Sequence, residues 1–205
     1  MNTRSLITRL ERDRGPITAC HLLSTRSYEK HRRQLLDWDQ GSRPQRRIAL
    51  GPDFTLLFES RATVWMRIQE ELRWVQTPPS PNCLSDLLSE YNRLISSPGE
   101  PRGCLFMDSE DGLRTKKYLT NSSIAELGLK LRLNGRSYRA VAMNGQKNLI
   151  EPVTYIRFAD QGQQSPGPNQ LEWRLPVPES KALPTDLTET LMRRPRRRQQ
   201  HQSVA

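Results

Sequence analysis

Five residues between Glu59 and Arg73 have the types and spacing to do chemistry. Glu59 ends an apolar run, Arg61 follows it, and Gln69, Glu70 and Arg73 come further along the same segment. A helical spacing of three brings Glu70 beside Arg73. Arg61 and Arg73 beside these groups form a polar pocket for a carboxylate or phosphate, because the planar guanidinium fork bonds such anions in two places. In an enzyme, Glu59 or Glu70 is the general base and Arg61 or Arg73 holds the anion. The same residues also describe an ion-pair network tying a helix to a sheet. That reading is preferred, since such networks are common and perturb side chains without catalysis. Tyr91 and Asn92 are further donors to a ligand, although a helix-end cap and packing explain them more simply.

Other chemistries find little to work with. The histidines are His21, His31 and His201, and none sits in the Glu-x-x-His spacing of a di-iron site. Cys20-His21 has no second ligand pair. The expectation is therefore no metal and no cofactor. There is no G-x-S-x-G elbow, no phosphate-binding glycine loop and no dinucleotide fingerprint. Cys83 and Cys104 make a redox pair only if folding joins them, and ordinary thiols are the preferred reading. At the C-terminus Arg193, Arg194, Arg196, Arg197 and Arg198 form a run that can neutralise nucleic-acid phosphates. Without stacking aromatics or a recognition helix, it reads as a solvated tail with weak, nonspecific polyanion affinity.

The elements that must carry these residues are legible from periodicity. Ser24 or Ser27 caps a helix running to about Asp39, with Gly41 past its end. Arg47–Leu50 and Phe54–Glu59 are strands joined by a Gly51-Pro52-Asp53 turn. Ser60 caps the next helix, whose stripe is Val64, Trp65, Ile68, Leu72 and Val75, with Arg67 and Glu71 as a flanking pair. A second amphipathic helix spans Ser85–Ile95. Cys104–Met107 is a short strand. Leu129–Val141 is a hairpin around Asn134-Gly135, the preferred type I′ turn. That turn pairs Leu131 with Tyr138 and sets Lys130 opposite Arg139 on a solvated face. Val153–Phe158 is a further strand, Glu172–Leu175 a short edge strand, and 182–192 a brief helix.

Composition sets the frame. The chain has 205 residues, 35% of them hydrophobic, fifteen prolines and a formal net charge of +10. Residues 1–47 carry 11 Lys/Arg against 5 Asp/Glu, and 193–205 carry five Arg and no acid, while 48–192 are nearly balanced. Basic character thus belongs to the ends. Three scattered cysteines fit a reducing compartment. With no apolar leader and no membrane-length apolar run, the chain reads as cytoplasmic.

The blocks Arg46, Arg47, Gly51, Pro52, then Phe58, Glu59, Arg61, Thr63, Ile68, Gln69, Glu70 and Arg73 resemble the bacterial family named domain of unknown function 3501. Tyr28, Glu29 and Arg32 look like its first helix. Tyr91-Asn92, Leu94-Ile95 and Pro98-Gly99 match its second block, and Val153, Tyr155, Arg157 and Phe158 its terminal strand. The resemblance spans about Ile17 to Phe158. The chain departs from the pattern at Glu71, Trp74, Val75 and Gln76, where the family continues with Met and more acid. The family has no established activity. Its members are encoded near rubrerythrin-like and iron–sulfur proteins, so the resemblance implies a redox protein as partner.

The resulting expectation is an α+β fold: a small, mostly antiparallel sheet with two or three packed helices and a disordered basic C-terminal tail. Residues 1–15 form a flexible basic N-terminus, 16–160 a single domain, 161–192 a Pro/Gly/Gln-rich extension and 193–205 the tail. Functionally the chain reads as a non-enzymatic accessory or interaction protein linked to a rubrerythrin or iron–sulfur system. RNA binding through the basic ends and a small enzyme with a Glu/Arg anion pocket are the alternatives.

Overall fold

A computed structural model describes residues 2–13, 15–75, 79–97, 99–143, 150–174 and 177–192. Helix α1 (Thr3–Arg12) is followed by a single 3₁₀ turn and by α2 (Thr25–Arg46). Strands β1 (Arg47–Leu50) and β2 (Phe54–Phe58) lead into α3 (Arg61–Trp74), α4 (Pro81–Asn92) and β3 (Arg102–Met107). Two short helices, α5 (Gly112–Asn121) and α6 (Ile124–Leu127), precede β4 (Lys130–Leu133) and β5 (Arg136–Ala142). The chain continues through β6 (Val153–Gln164), β7 (Gln170–Trp173), β8 (Glu179–Ala182) and α7 (Thr185–Met192).

The expected small sheet with two or three helices is overturned. All eight strands join one antiparallel sheet in the order β1-β2-β3-β6-β5-β4-β7-β8, which curls nearly to closure as a barrel. Among the described residues there are seven α-helices. The underestimate has two sources. Residues Thr3–Arg12 are polar, yet Leu6 and Leu10 fall on one face and are buried, so docking offsets the helix's ordering entropy. The Gly/Pro/Gln-rich stretch conceals strand. β6 runs on to Gln164 through a bulge opposite Arg136–Tyr138, and β7 is flanked by β8 instead of forming an edge. Backbone pairing holds these segments where side-chain hydrophobicity is weak.

Two apolar clusters result. Inside the curl of the sheet, Phe54, Leu56, Phe58, Leu131, Ile156 and Phe158 pack together. Outside it, Leu6, Tyr28, Leu35, Trp65, Ile68 and Leu94 join α1, α2, α3 and α4. Strand β2 is buried on both faces because it separates the two clusters.

The Asn134-Gly135 hairpin forms with both residues at positive φ. Leu131 pairs with Tyr138 and Lys130 with Arg139, while β7 supplies Glu172 across from Lys130. Helix α2 runs past Gly41 and through Pro44. Its last turn is anchored by Arg46, which donates to Asp39 at 3.0 Å and to the Phe58 carbonyl at 3.0 Å. Val75 lies beyond α3 and is exposed.

Candidate functional site

Ser60 starts α3 at the end of β2 because its hydroxyl accepts from the Thr63 amide, and Thr63 answers the Ser60 amide. That junction aims Glu59 and Arg61 to different places. Glu59 points into the seam between helix and sheet. Its carboxylate accepts from Thr63 at 2.6 Å, from Arg67 at 2.6 Å and from the Cys104 thiol at 3.4 Å. Arg67 therefore pairs with Glu59, and Glu71 takes the Tyr91 hydroxyl at 2.9 Å instead. Burial, reinforced by Glu59, pushes the Cys104 thiol well above its ordinary value, which leaves it protonated and unreactive. Cys20 and Cys83 are exposed free thiols, so folding leaves Cys83 apart from the buried Cys104.

Glu70 and Arg73 do not pair with one another. Glu70 receives both the Nε and Nη2 donors of Arg32, at 2.8 and 3.0 Å, and the Tyr28 hydroxyl at 2.7 Å. Burial alone would raise the Glu70 carboxyl, but the bonds from Arg32 and Tyr28 outweigh it and hold it below the usual range. Burial and the same carboxylate raise the Tyr28 phenol. Arg73 donates to Glu29.

Gln69 and Asn92 are clamps. Gln69 accepts from the Leu23 amide at 2.7 Å and donates to the Leu23 carbonyl at 3.3 Å. Asn92 does the same to Ile17, at 2.6 and 2.8 Å. Trp65 donates to the His21 carbonyl at 2.9 Å. Together these side chains lace the segment between α1 and α2 onto α3 and α4. Extended backbone that would otherwise lie unpaired against a helical surface is satisfied this way.

Arg61 is the exception. It is 5% exposed, and its only hydrogen bond among the described residues is from Nε to the Gly15 carbonyl at 3.2 Å. Its Nη1 is buried with no partner. Burial pulls the guanidinium below its ordinary value, and Asp13 offsets this only in part. Arg61 lines a cavity of about 420 Å³ bounded by the end of α1 and Gly15, Glu59–Arg61, Asn92, Ile95–Ser97, Arg102 and the end of α7. That volume lies within the roughly 300–1,000 Å³ typical of small-molecule sites. Arg102 lines the cavity but is already engaged, bonded to Glu100 and to the Arg93 carbonyl.

Of the residues singled out by sequence, the fold brings Glu59, Arg61 and Asn92 to one cavity. Gln69, Glu70, Arg73 and Tyr91 lie elsewhere in the helical layer, each with its own partner. Arg193, Arg194, Arg196, Arg197 and Arg198 lie outside the described residues. Sequence reasoning missed Glu11 and Asp13 at the cavity and the partners Tyr28, Glu29, Arg32 and Cys104. Tyr28, Glu29 and Arg32 did stand out as part of the family pattern, but no spacing rule links α2 to α3. Among the described residues no group of three His, Cys, Asp or Glu side chains converges, and no helix is long and apolar enough to cross a membrane.

A family model described as "Protein of unknown function (DUF3501)" matches residues 16–172. The chain is similar in fold to a crystal structure of a protein of unknown function from Burkholderia pseudomallei K96243. The identity is 18% and the TM-score 0.72, over 87% of this chain and 98% of that one. No curated protein matches the chain.

Proposed function

Since the chain belongs to the DUF3501 family of proteins of unknown function, we propose from its geometry that it is a non-enzymatic binding protein whose ligand presents a compact anionic group to Arg61. One observation carries this: a guanidinium almost wholly removed from water, lining a cavity, with Nη1 unpartnered. An uncompensated buried donor costs roughly 1–3 kcal/mol, more when charged. Natural proteins retain such a cost where function needs it. The non-enzymatic half rests on the two nominated bases. Both Glu59 oxygens and both Glu70 oxygens already accept charge-assisted bonds, so neither is free to take a substrate proton.

The test is thermal unfolding with inorganic phosphate, acetate and butyrate, on wild type and Arg61→Met. Wild type gains stability saturably with at least one anion. Arg61→Met unfolds at or above the wild-type temperature without ligand, because it removes a buried unpaired charge, and it shows no anion shift. Equal shifts in both proteins would dismiss Arg61 as the anchor. A chain ending at Met192 separates this cavity from weak polyanion binding by the Arg193–Arg198 run, which is a distinct proposal resting on composition. For a macromolecular partner, the proposed class is the rubrerythrin-like or iron–sulfur protein implied by the family, and the proposed compartment is the cytoplasm. Pull-down with the tagged full chain tests the partner, and recovery of no redox protein removes it.

A further inference from the structure

The cavity carries more than one sign of charge, and that narrows its ligand. Glu11, in the last turn of α1, and Asp13, its C-cap, also line the cavity. Among the described residues Glu11 has no ion pair, and the only one made by Asp13 is a 4.0 Å contact with the exposed Arg12. A third acidic residue on the lining, Glu59, turns its carboxylate away into the helix–sheet seam, where Arg67 and Thr63 hold it. The remaining polar groups are also largely used. Ser60 and Asn92 serve as cap and clamp, and Ser96 is bound to the Arg102 amide. What is left for a ligand is one buried cationic donor at the start of α3 and two acidic acceptors from the end of α1.

A plain anion meets that arrangement poorly, because Asp13, which partly offsets the burial of Arg61, and the neighbouring acid Glu11 would repel it. A plain cation would leave the Arg61 donor buried and unpaired. A ligand with a carboxylate at one end and an ammonium at the other satisfies both sets at once, each by a charge-assisted bond. Resting on the Arg61 reading above, we propose that the cavity takes a small amino carboxylate, its carboxylate on Arg61 and its ammonium on Asp13 and Glu11.

The experiment is isothermal titration of the full chain with four probes: γ-aminobutyrate, L-lysine, butyrate and butylamine. Wild type is compared with Arg61→Met and with the double substitution Glu11→Gln/Asp13→Asn. The acids are not buried core residues, so the double variant keeps the fold, and circular dichroism checks it. Wild type is expected to bind γ-aminobutyrate or L-lysine at least about tenfold more tightly than butyrate or butylamine, as one added charge-assisted bond implies. The double variant loses that preference and binds butyrate more tightly than wild type does. Arg61→Met loses the amino carboxylate. Butyrate binding as tightly as γ-aminobutyrate, with no change in the double variant, would overturn the amino-carboxylate assignment and leave the anion reading standing. Absence of binding by all four probes would overturn both.

Discussion

Replacing Arg67 with leucine isolates the charge on which the β2–α3 junction depends. The Glu59 side chain is 1% exposed and that of Arg67 31%. Removing one partner of a buried pair costs about 3–5 kcal/mol, mostly because the other charge stays buried. Arg67 is partly wetted, so water reaches the vacated space and the lower end applies, about 3 kcal/mol. For a chain of this size that is roughly a 6–12 °C fall in Tm. The reverse substitution, Glu59→Gln, should cost less, roughly 1 kcal/mol, because Arg67 can turn to solvent and the new amide oxygen still accepts from Thr63. A double-mutant cycle separates the lost pairing from simple loss of packing: in a Glu59→Gln background, Arg67→Leu should cost about 1 kcal/mol or less, because no buried carboxylate is left without its partner. Urea unfolding followed by far-ultraviolet circular dichroism on all four proteins measures it. A deficit under about 0.5 kcal/mol for Arg67→Leu alone, or one of equal size in both backgrounds, would refute the claim that the buried Glu59 relies on Arg67.

Three further outcomes follow from the same contacts. Gln69→Ala strips both partners from the Leu23 backbone, so about 2–4 kcal/mol is lost, and the Leu23 amide loses hydrogen-exchange protection before the α3 core does. Glu70→Gln weakens the partly exposed bonds that Arg32 and Tyr28 donate to this side chain, by about 1 kcal/mol at neutral pH. Because the folded Glu70 carboxyl is held below its unfolded value, its contribution is present above that value and vanishes as acid titrates it. The variant and wild type should then unfold alike at the acid limit, as acid-dependent denaturation curves would reveal. A thiol reagent should label Cys20 and Cys83 in the native protein and Cys104 only after unfolding. Rapid native labelling of Cys104 would contradict its burial against Glu59.

Local signals in the chain were strong where a single segment held all the information. The Asn134-Gly135 turn, the Ser60 cap and the Val64–Ile68 stripe each depend on residues within one or two turns, and each forms as their chemistry dictates. The Gly51-Pro52-Asp53 turn likewise fixes the β1–β2 register. Signals failed where pairing came from afar. Gly41 and Pro44 argue for an earlier end to α2, but Arg46 bonded to Asp39 and to the Phe58 carbonyl carries the helix through them. Polar residues after Gln161 argue against strand, but β5 and β4 supply the hydrogen bonds that composition does not advertise.

The sequence by itself determined the residue types that meet at the β2–α3 junction, the family pattern they follow and the elements that carry them. Tertiary structure decided which of those residues is free. Glu70, Gln69, Arg73 and Tyr91 are all claimed by partners from α2, the N-terminal segment or a neighbouring turn of α3. Of these junction residues, Arg61 is the one that keeps an unpartnered buried donor among the described residues, on a cavity lined also by acids from the end of α1. Charge and spacing in one segment specify what a side chain can bind. Whether anything within the protein already binds it depends on which distant segments arrive there, and that is settled by packing.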